Sequence, residues 1–186
     1  HERGLYNRAA SSLEESLTIS RKLGDRPGIT TSLLNLASLR MEQGELRQPL
    51  SMLDESEQLA ESMGDRFLAV YGMVLKGDLY MLYGDLVTSL KHYTKSREMA
   101  AEIGLKSQEL IAESNMAWIK ARQGHIDEAL ETCRHVVESA ENLEDSDCVL
   151  RSRHRLSEIQ LLAGNYKEAR LTAAPGLKLA RKRGHI

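Results

Sequence analysis

The sequence predicts an all-α protein assembled from a repeated pair of helices, and three observations carry that prediction. Glycines recur at Gly4, Gly44, Gly84, Gly124 and Gly164, one every 40 residues, and a second series stands between them at Gly24, Gly64, Gly104 and Gly184. Between these marks the apolar residues fall at helical spacing, and the same columns return in successive repeats. With one Trp, one Phe and three prolines among 186 residues, the composition favours helix over strand.

Taken in order, the marks delimit helices over 6–23, 27–43, 46–63, 66–83, 86–103, 107–123, 126–142, 147–163 and 166–183. The first lacks a partner, which divides 1–186 into a single array: a half repeat at 1–24, then full repeats at 25–64, 65–104, 105–144 and 145–184. Each glycine is read as a helix end, where a positive φ costs a residue without Cβ nothing. Only Glu144 breaks the second series, and Asp25, Asp65 and Asp145 follow its positions as N-cap candidates. The chain opens half a repeat in and stops where another could begin, so it is expected to be a piece of a larger protein.

The second helix of each repeat carries Leu46, Leu50, Leu53, Ala60 and Met63, answered by Leu86, Leu90, Tyr93, Ala100 and Ile103 and then by Ile126, Leu130, Cys133, Ala140 and Leu143. The first helix carries the aliphatic column Leu39, Leu79, Ile119 and Ile159 beside the small column Ala37, Gly77, Ala117 and Ser157. Small residues at one position let two helices approach closely. Two further small columns run Ala9, Pro49, Ser89, Ala129, Ala169 and Ala60, Ala100, Ala140, Ala180. Pro175-Gly176 is expected to interrupt the last helix.

Segments such as Asn35-Leu36-Ala37 through Gly44, and Gly124-His125-Ile126-Asp127-Glu128-Ala129-Leu130, resemble tetratricopeptide repeats, and the resemblance covers the whole chain. The 40-residue period is longer than the family's usual length of about 34 and is similar to the repeats of kinesin light chains, spindle-orientation adaptors and many bacterial regulatory proteins. Pro49 stands at a usual alanine position, and the aromatic expected late in the first helix survives clearly only as Tyr80. The resemblance implies a right-handed superhelical solenoid that binds a protein or peptide as a scaffold or regulatory module.

No stretch approaches the roughly 18 apolar residues of a membrane span, and the N-terminus has no signal-peptide pattern, so a cytoplasmic protein is expected. Cys133 and Cys148 cannot build a disulfide framework and lack zinc-site spacing, and both read as buried thiols. Cys133 and His135 diverge on a helix, so no metal and no cofactor is expected. Phosphate loops, HExxH pairs, nucleophile elbows and EF-hand loops are missing, and no enzyme is expected. Carboxylate pairs such as Glu14-Glu15, and Glu141 with Glu144, fall on polar faces.

The formal charge of −2 is uneven: from Arg151 onward there are nine Lys/Arg and two Asp/Glu, against sixteen and twenty-five before it. The run Arg151-Ser152-Arg153-His154-Arg155, with Lys178, Arg181, Lys182 and Arg183, suits an acidic protein partner better than nucleic acid, because aromatic platforms are missing nearby and the net charge is negative.

In the family that the chain resembles, the first helices line a concave groove. Carried over, the stripe holds Thr31, Leu34, Asn35 and Ser38, then Tyr71, Val74, Leu75 and Asp78. It continues through Ile111, Ser114, Asn115 and Trp118 and ends with Arg151, His154, Arg155 and Glu158. Asn35 and Asn115 stand where an amide often grips a ligand backbone, a role equally matched by an ordinary surface Asn. Asn115, Arg151 and Arg155 match three positions of a five-residue carboxylate clamp, while Val74 and Asp78 replace its Lys and Asn. Trp118 is an anchor for a ligand or a packing residue. The candidate peptide-binding residues are Asn35, Tyr71, Asn115, Trp118, Arg151 and Arg155. A rival reading is self-association through terminal apolar columns such as Leu13, Leu17 and Leu23.

Overall fold

The computed structural model describes the backbone of residues 2–182 and the side chains of residues 6–178. The mark at Gly184 and the basic residue Arg183 lie outside the described residues, as do the side chains of Ala180, Arg181 and Lys182. Among the described residues there are nine helices and no strand: α1 (Glu2–Leu23), α2 (Arg26–Glu42), α3 (Pro49–Met63), α4 (Arg66–Leu82), α5 (Leu86–Glu102), α6 (Lys106–Arg122), α7 (Ile126–Asn142), α8 (Ser146–Leu162) and α9 (Tyr166–Lys182).

The helix ends follow from the punctuation. Gly24, Gly44, Gly64, Gly84, Gly104, Gly124 and Gly164 all take positive φ. At most of these turns the next residue's N–H returns to a carbonyl five residues back, as in Asp65 N to Ala60 O at 2.9 Å and Asn165 N to Gln160 O at 2.8 Å. That bond satisfies a carbonyl which the helix end would orphan. Asp25, Asp65 and Asp145 cap α2, α4 and α8, accepting from Gly28 N, Leu68 N, and the pair Asp147 N and Cys148 N. Gly4 is different, because α1 begins at Glu2 and carries it inside the helix.

Where the glycine series breaks, the backbone does not: Glu144 adopts the same left-handed conformation, with φ 55. A side chain there meets the Cβ–carbonyl crowding that makes this region unfavourable by about 1–2 kcal/mol. Glu144→Gly is therefore expected to stabilise the protein by about 0.5–1 kcal/mol after the larger unfolded-state entropy of glycine is subtracted. A denaturant midpoint that stays unchanged or falls would contradict this.

Two helices depart from the expected bounds. Helix α3 starts at Pro49 and not at residue 46, because a proline has no N–H to donate and its ring clashes with the carbonyl four residues back, which leaves the first helical position as its natural place. Helix α9 is not interrupted by Pro175-Gly176; it runs through them to Lys182. The cost is one missing backbone bond, tolerated on a helix whose Pro175 side is exposed.

The chain forms two compact units, His1–Met99 and Ala100–Ile186. In the first, α1 packs on α2, α2 on α3 and α3 on α4, and α2 also meets α4. In the second, α6, α7, α8 and α9 pack in succession, and α6 also meets α8. Adjacent first helices are what tandem helix pairs produce when each pair stacks on the one before.

The repeated columns form the cores. Leu34, Ala37, Leu53, Leu75 and Leu79 make one cluster, and Ala117, Ala121, Ala129, Leu130, Cys133, Leu156 and Ile159 make another. The small columns sit at the closest approaches: Ala37, Ala117, Ala60, Ala100, Ala140, Ala129 and Ser89 are all buried. At Gly77 an added Cβ would lie 2.5 Å from the ring of Tyr93, so only glycine admits that ring. Ala9 and Leu143 are exposed and Leu39 only half-buried, so these members leave the pattern of their columns.

Candidate functional site

In the second unit the first helices α6 and α8 bring four of the candidate residues onto neighbouring elements. Asn115, on α6, is buried at 5% exposure, and its Oδ1 accepts from Nε of Arg155 on α8 at 2.6 Å. Arg155 also donates from Nη1 to Glu158 Oε2 at 2.7 Å. Its guanidinium carbon lies 5.7 Å from the Trp118 ring centroid, and that of Arg122 lies 5.5 Å from it. Trp118 is half-buried: it packs against the α6–α7–α8 core and carries two cations beside its ring. Arg151 is exposed and pairs with Asp147 at 2.9 Å, one turn earlier on the same helix.

The two remaining candidates lie in the first unit. Asn35, on α2, is exposed. Tyr71, on α4, is half-buried against the cluster of Leu34, Ala37, Leu53, Leu75 and Leu79, with its ring 6.0 Å from that of Phe67. Other members of the stripe, among them Leu34, Val74, Leu75, Ile111 and Ser114, are buried in the cores.

Ion pairs occupy the basic run. Arg153 bonds Glu141, Arg155 bonds Glu158 and Arg151 bonds Asp147. Cys133 and Cys148 are fully buried, as expected, and their Sγ atoms face the carbonyls of Ser114 and Ser107. Burial pushes the Cys133 thiol up to about 12, which leaves it unreactive at neutral pH. Leu13 and Leu17 are half-buried, whereas Leu23 is 76% exposed. Among the described residues no cluster of His, Cys, Asp and Glu is arranged to hold a metal ion, and no helix is long and apolar enough to cross a membrane.

One polar cluster escaped the sequence reading. Lys76, on α4, is 6% exposed and donates to Glu57 and, at 2.6 Å, to Asp54, both on α3. Burial works against its ammonium, but the bonds to Asp54 and Glu57 outweigh that and hold it above the usual lysine range. Its signal was a lysine in a column that otherwise reads Leu36, Met116 and Leu156. Beside it His92 stacks flat on Tyr80, ring centroids 5.4 Å apart.

Burial, and then the charge of Lys76, depress the His92 pKa below its usual value. The folded state therefore binds the His92 proton more weakly than the unfolded chain does. Stability from this residue is full above about pH 6.5, the unfolded value, and falls as the pH drops through the lower folded one. The thermal midpoint of the protein is expected to drop between pH 7.5 and 5.5 by more than that of His92→Gln. Equal drops would assign the acid sensitivity elsewhere.

Tandem helix pairs meeting at small residues define a helical-repeat protein, the framework of a general protein-interaction scaffold. Residues 108–182 match the family model of the tetratricopeptide repeat, so the repeats of that segment are tetratricopeptide repeats. No curated protein sequence matches the chain. Among solved structures it is similar to kinesin light chain-type TPR-like repeats of Podosopora anserina in a single-substitution form. The two are 18% identical with TM-score 0.63, covering 100% of this chain and 91% of that one. The same repeats without the substitution are also 18% identical, with TM-score 0.62, covering 97% and 90%. BtubC from P. vanneervenii is 16% identical with TM-score 0.62, covering 97% and 93%. At these identities the likeness is one of fold, and it extends over essentially the whole chain.

Proposed function

We propose that the chain is a protein- or peptide-binding module with no catalytic role of its own, acting within a scaffold or regulatory protein of the cytoplasm. In the second unit the first-helix stripe takes an extended segment through Asn115, Trp118, Arg151 and Arg155; in the first unit Asn35 and Tyr71 offer the corresponding face. The observation that carries this reading is the placement of Arg155: its guanidinium is held by Asn115 and Glu158 over Trp118. A cation oriented in advance loses little side-chain freedom when an acidic group arrives, which favours recognition of acidic side chains or a terminal carboxylate. Glu158 shares that guanidinium, so an incoming carboxylate displaces or joins it.

The test is to recover a partner segment by pull-down and titrate it, using the fluorescence of the single tryptophan as the readout. A charge-assisted hydrogen bond contributes about 1.5–3 kcal/mol, so Arg155→Ala should weaken an acidic segment about ten- to a hundred-fold. Asn115→Ala should weaken it less directly, by freeing Arg155 to move. Arg134→Ala, an exposed change on the second helix α7, is the control. If the control abolishes binding while both groove variants keep full affinity, the partner uses the second-helix face. The rival reading, self-association through Leu23 and its neighbours, predicts a concentration-dependent mass in light scattering, which a peptide module without that contact does not show.

A further inference from the structure

We infer that Arg122 is the second cation of the α6–α8 site, and that the site takes paired acids, an Asp/Glu-x-Asp/Glu sequence in an extended segment of a partner protein. The inference rests on the reading of Arg155 as an acid-binding cation and adds to it a further specificity residue and the spacing of the ligand's charges. The sequence sets Arg151 beside Arg155 on α8, but Arg151 is bonded to Asp147 on its own helix. The ring of Trp118 instead collects Arg122 and Arg155, whose guanidinium carbons lie 5.5 and 5.7 Å from its centroid.

The two cations differ in what already holds them. Arg155 bonds Asn115 Oδ1 and the carboxylate of Glu158. Arg122 is exposed, and among the described residues the Trp118 ring is the only partner of its side chain. A guanidinium has five donors and no acceptor, so Arg122 presents a fork of N–H groups to which no protein carboxylate is bound. Contact with the indole restricts its rotamers before a ligand arrives. An acid that meets Arg122 therefore displaces nothing, whereas one that meets Arg155 competes with Glu158.

The 40-residue register shows that this position is open whether or not another repeat is stacked beside it. The column of Arg122 holds Glu42, Leu82 and Leu162, all exposed, and the column of Trp118 holds Ser38, Asp78 and Glu158, all half-buried. Glu42 is exposed although α2 meets α4, and Arg122 although α6 meets α8. Packing does not demand a cation there, since the other members of its column are an acid and two leucines.

Distance sets the spacing of the ligand. The separation of the two guanidinium carbons cannot exceed the sum of their distances to the one ring centroid. In an extended segment, side chains two residues apart project to the same side and stand about 7 Å from each other. Alternate acids therefore meet both cations at once, while adjacent acids project to opposite sides.

The probes are four labelled seven-residue peptides with both termini blocked, carrying Glu-Val-Glu, Glu-Glu-Val, Glu-Val-Gln or phosphoserine-Val-Gln at the centre. Each is titrated with the 186-residue chain and followed by label anisotropy and by the fluorescence of the single tryptophan. Glu-Val-Glu should bind about three- to tenfold more tightly than Glu-Glu-Val or Glu-Val-Gln, a modest gain because Arg122 is exposed and its ion pair is screened. Arg122→Gln should remove that advantage and leave Glu-Val-Gln unchanged, and helicity should be retained because the residue is exposed. Arg155→Ala should weaken all of the peptides. Equal binding of Glu-Val-Glu and Glu-Glu-Val, or an advantage that survives Arg122→Gln, overturns this inference and leaves the Arg155 reading standing. Tighter binding of the phosphoserine peptide than of Glu-Val-Glu overturns the paired-acid class. No binding of any peptide, or binding that Arg155→Ala does not weaken, overturns both.

Discussion

Ala117→Arg is expected to lower the thermal midpoint by roughly 10 °C or more. Ala117 is 1% exposed, in contact with the cluster of Ala121, Cys133, Leu156 and Ile159 where α6, α7 and α8 converge. Overpacking alone costs about 1–3 kcal/mol, and a guanidinium buried without an acceptor adds a penalty of similar size. A loss of about 3–5 kcal/mol is a large part of the 5–15 kcal/mol that holds a typical domain folded. Ala117→Ser, the residue that the same column carries at position 157, should cost far less. Melting followed by circular dichroism compares the two, and an unchanged midpoint for the arginine variant would remove the assigned repeat register.

Asp54→Ala combined with Glu57→Ala is expected to destabilise the first unit by about 3–5 kcal/mol, whereas Lys76→Leu is expected to be nearly neutral or stabilising. The asymmetry follows from desolvation. Removing both acids leaves the Lys76 ammonium buried beneath α3 with no anion, next to His92 and within reach of the field of Lys95. Removing the lysine leaves two carboxylates that can turn to water, Asp54 already having half of its side chain exposed, and puts an aliphatic residue into a column that is Leu at 36 and 156. Asp54→Ala alone should cost about 1 kcal/mol or less, because Glu57 remains as a partner and Asp54 is itself half-exposed to solvent. Urea denaturation of the four proteins orders them. If Lys76→Leu is the most destabilised, the ion pair contributes more than its desolvation costs.

Much of this fold was legible because a repeat states each rule several times over. A glycine at one position suggests a turn; the same glycine at seven described positions, every one with positive φ, makes the turn a property of the period. The aspartates after Gly24 and Gly64 and beside Glu144 announced the caps of α2, α4 and α8, since only a short acceptor side chain reaches the first free N–H groups. Local errors came where one residue carries two signals. Pro175 forbids one hydrogen bond but does not by itself end a helix whose remaining bonds persist, and the apolar Leu46 resembled a helix start that Pro49 displaced.

By itself the sequence determined the helix count and order, the small residues at the closest approaches and the buried state of both cysteines, because each depends on spacing along one chain. Tertiary structure alone decided which polar groups meet. Asn115 and Arg155 stand 40 residues apart and share a hydrogen bond only because α6 and α8 are neighbours. Lys76 meets Asp54 and Glu57 only because α3 packs on α4, and Arg155 reaches the Trp118 ring only because α6 and α8 are neighbours. A period along the chain dictates which face of each helix is buried, but pairing between faces depends on distance across the chain, which only packing fixes.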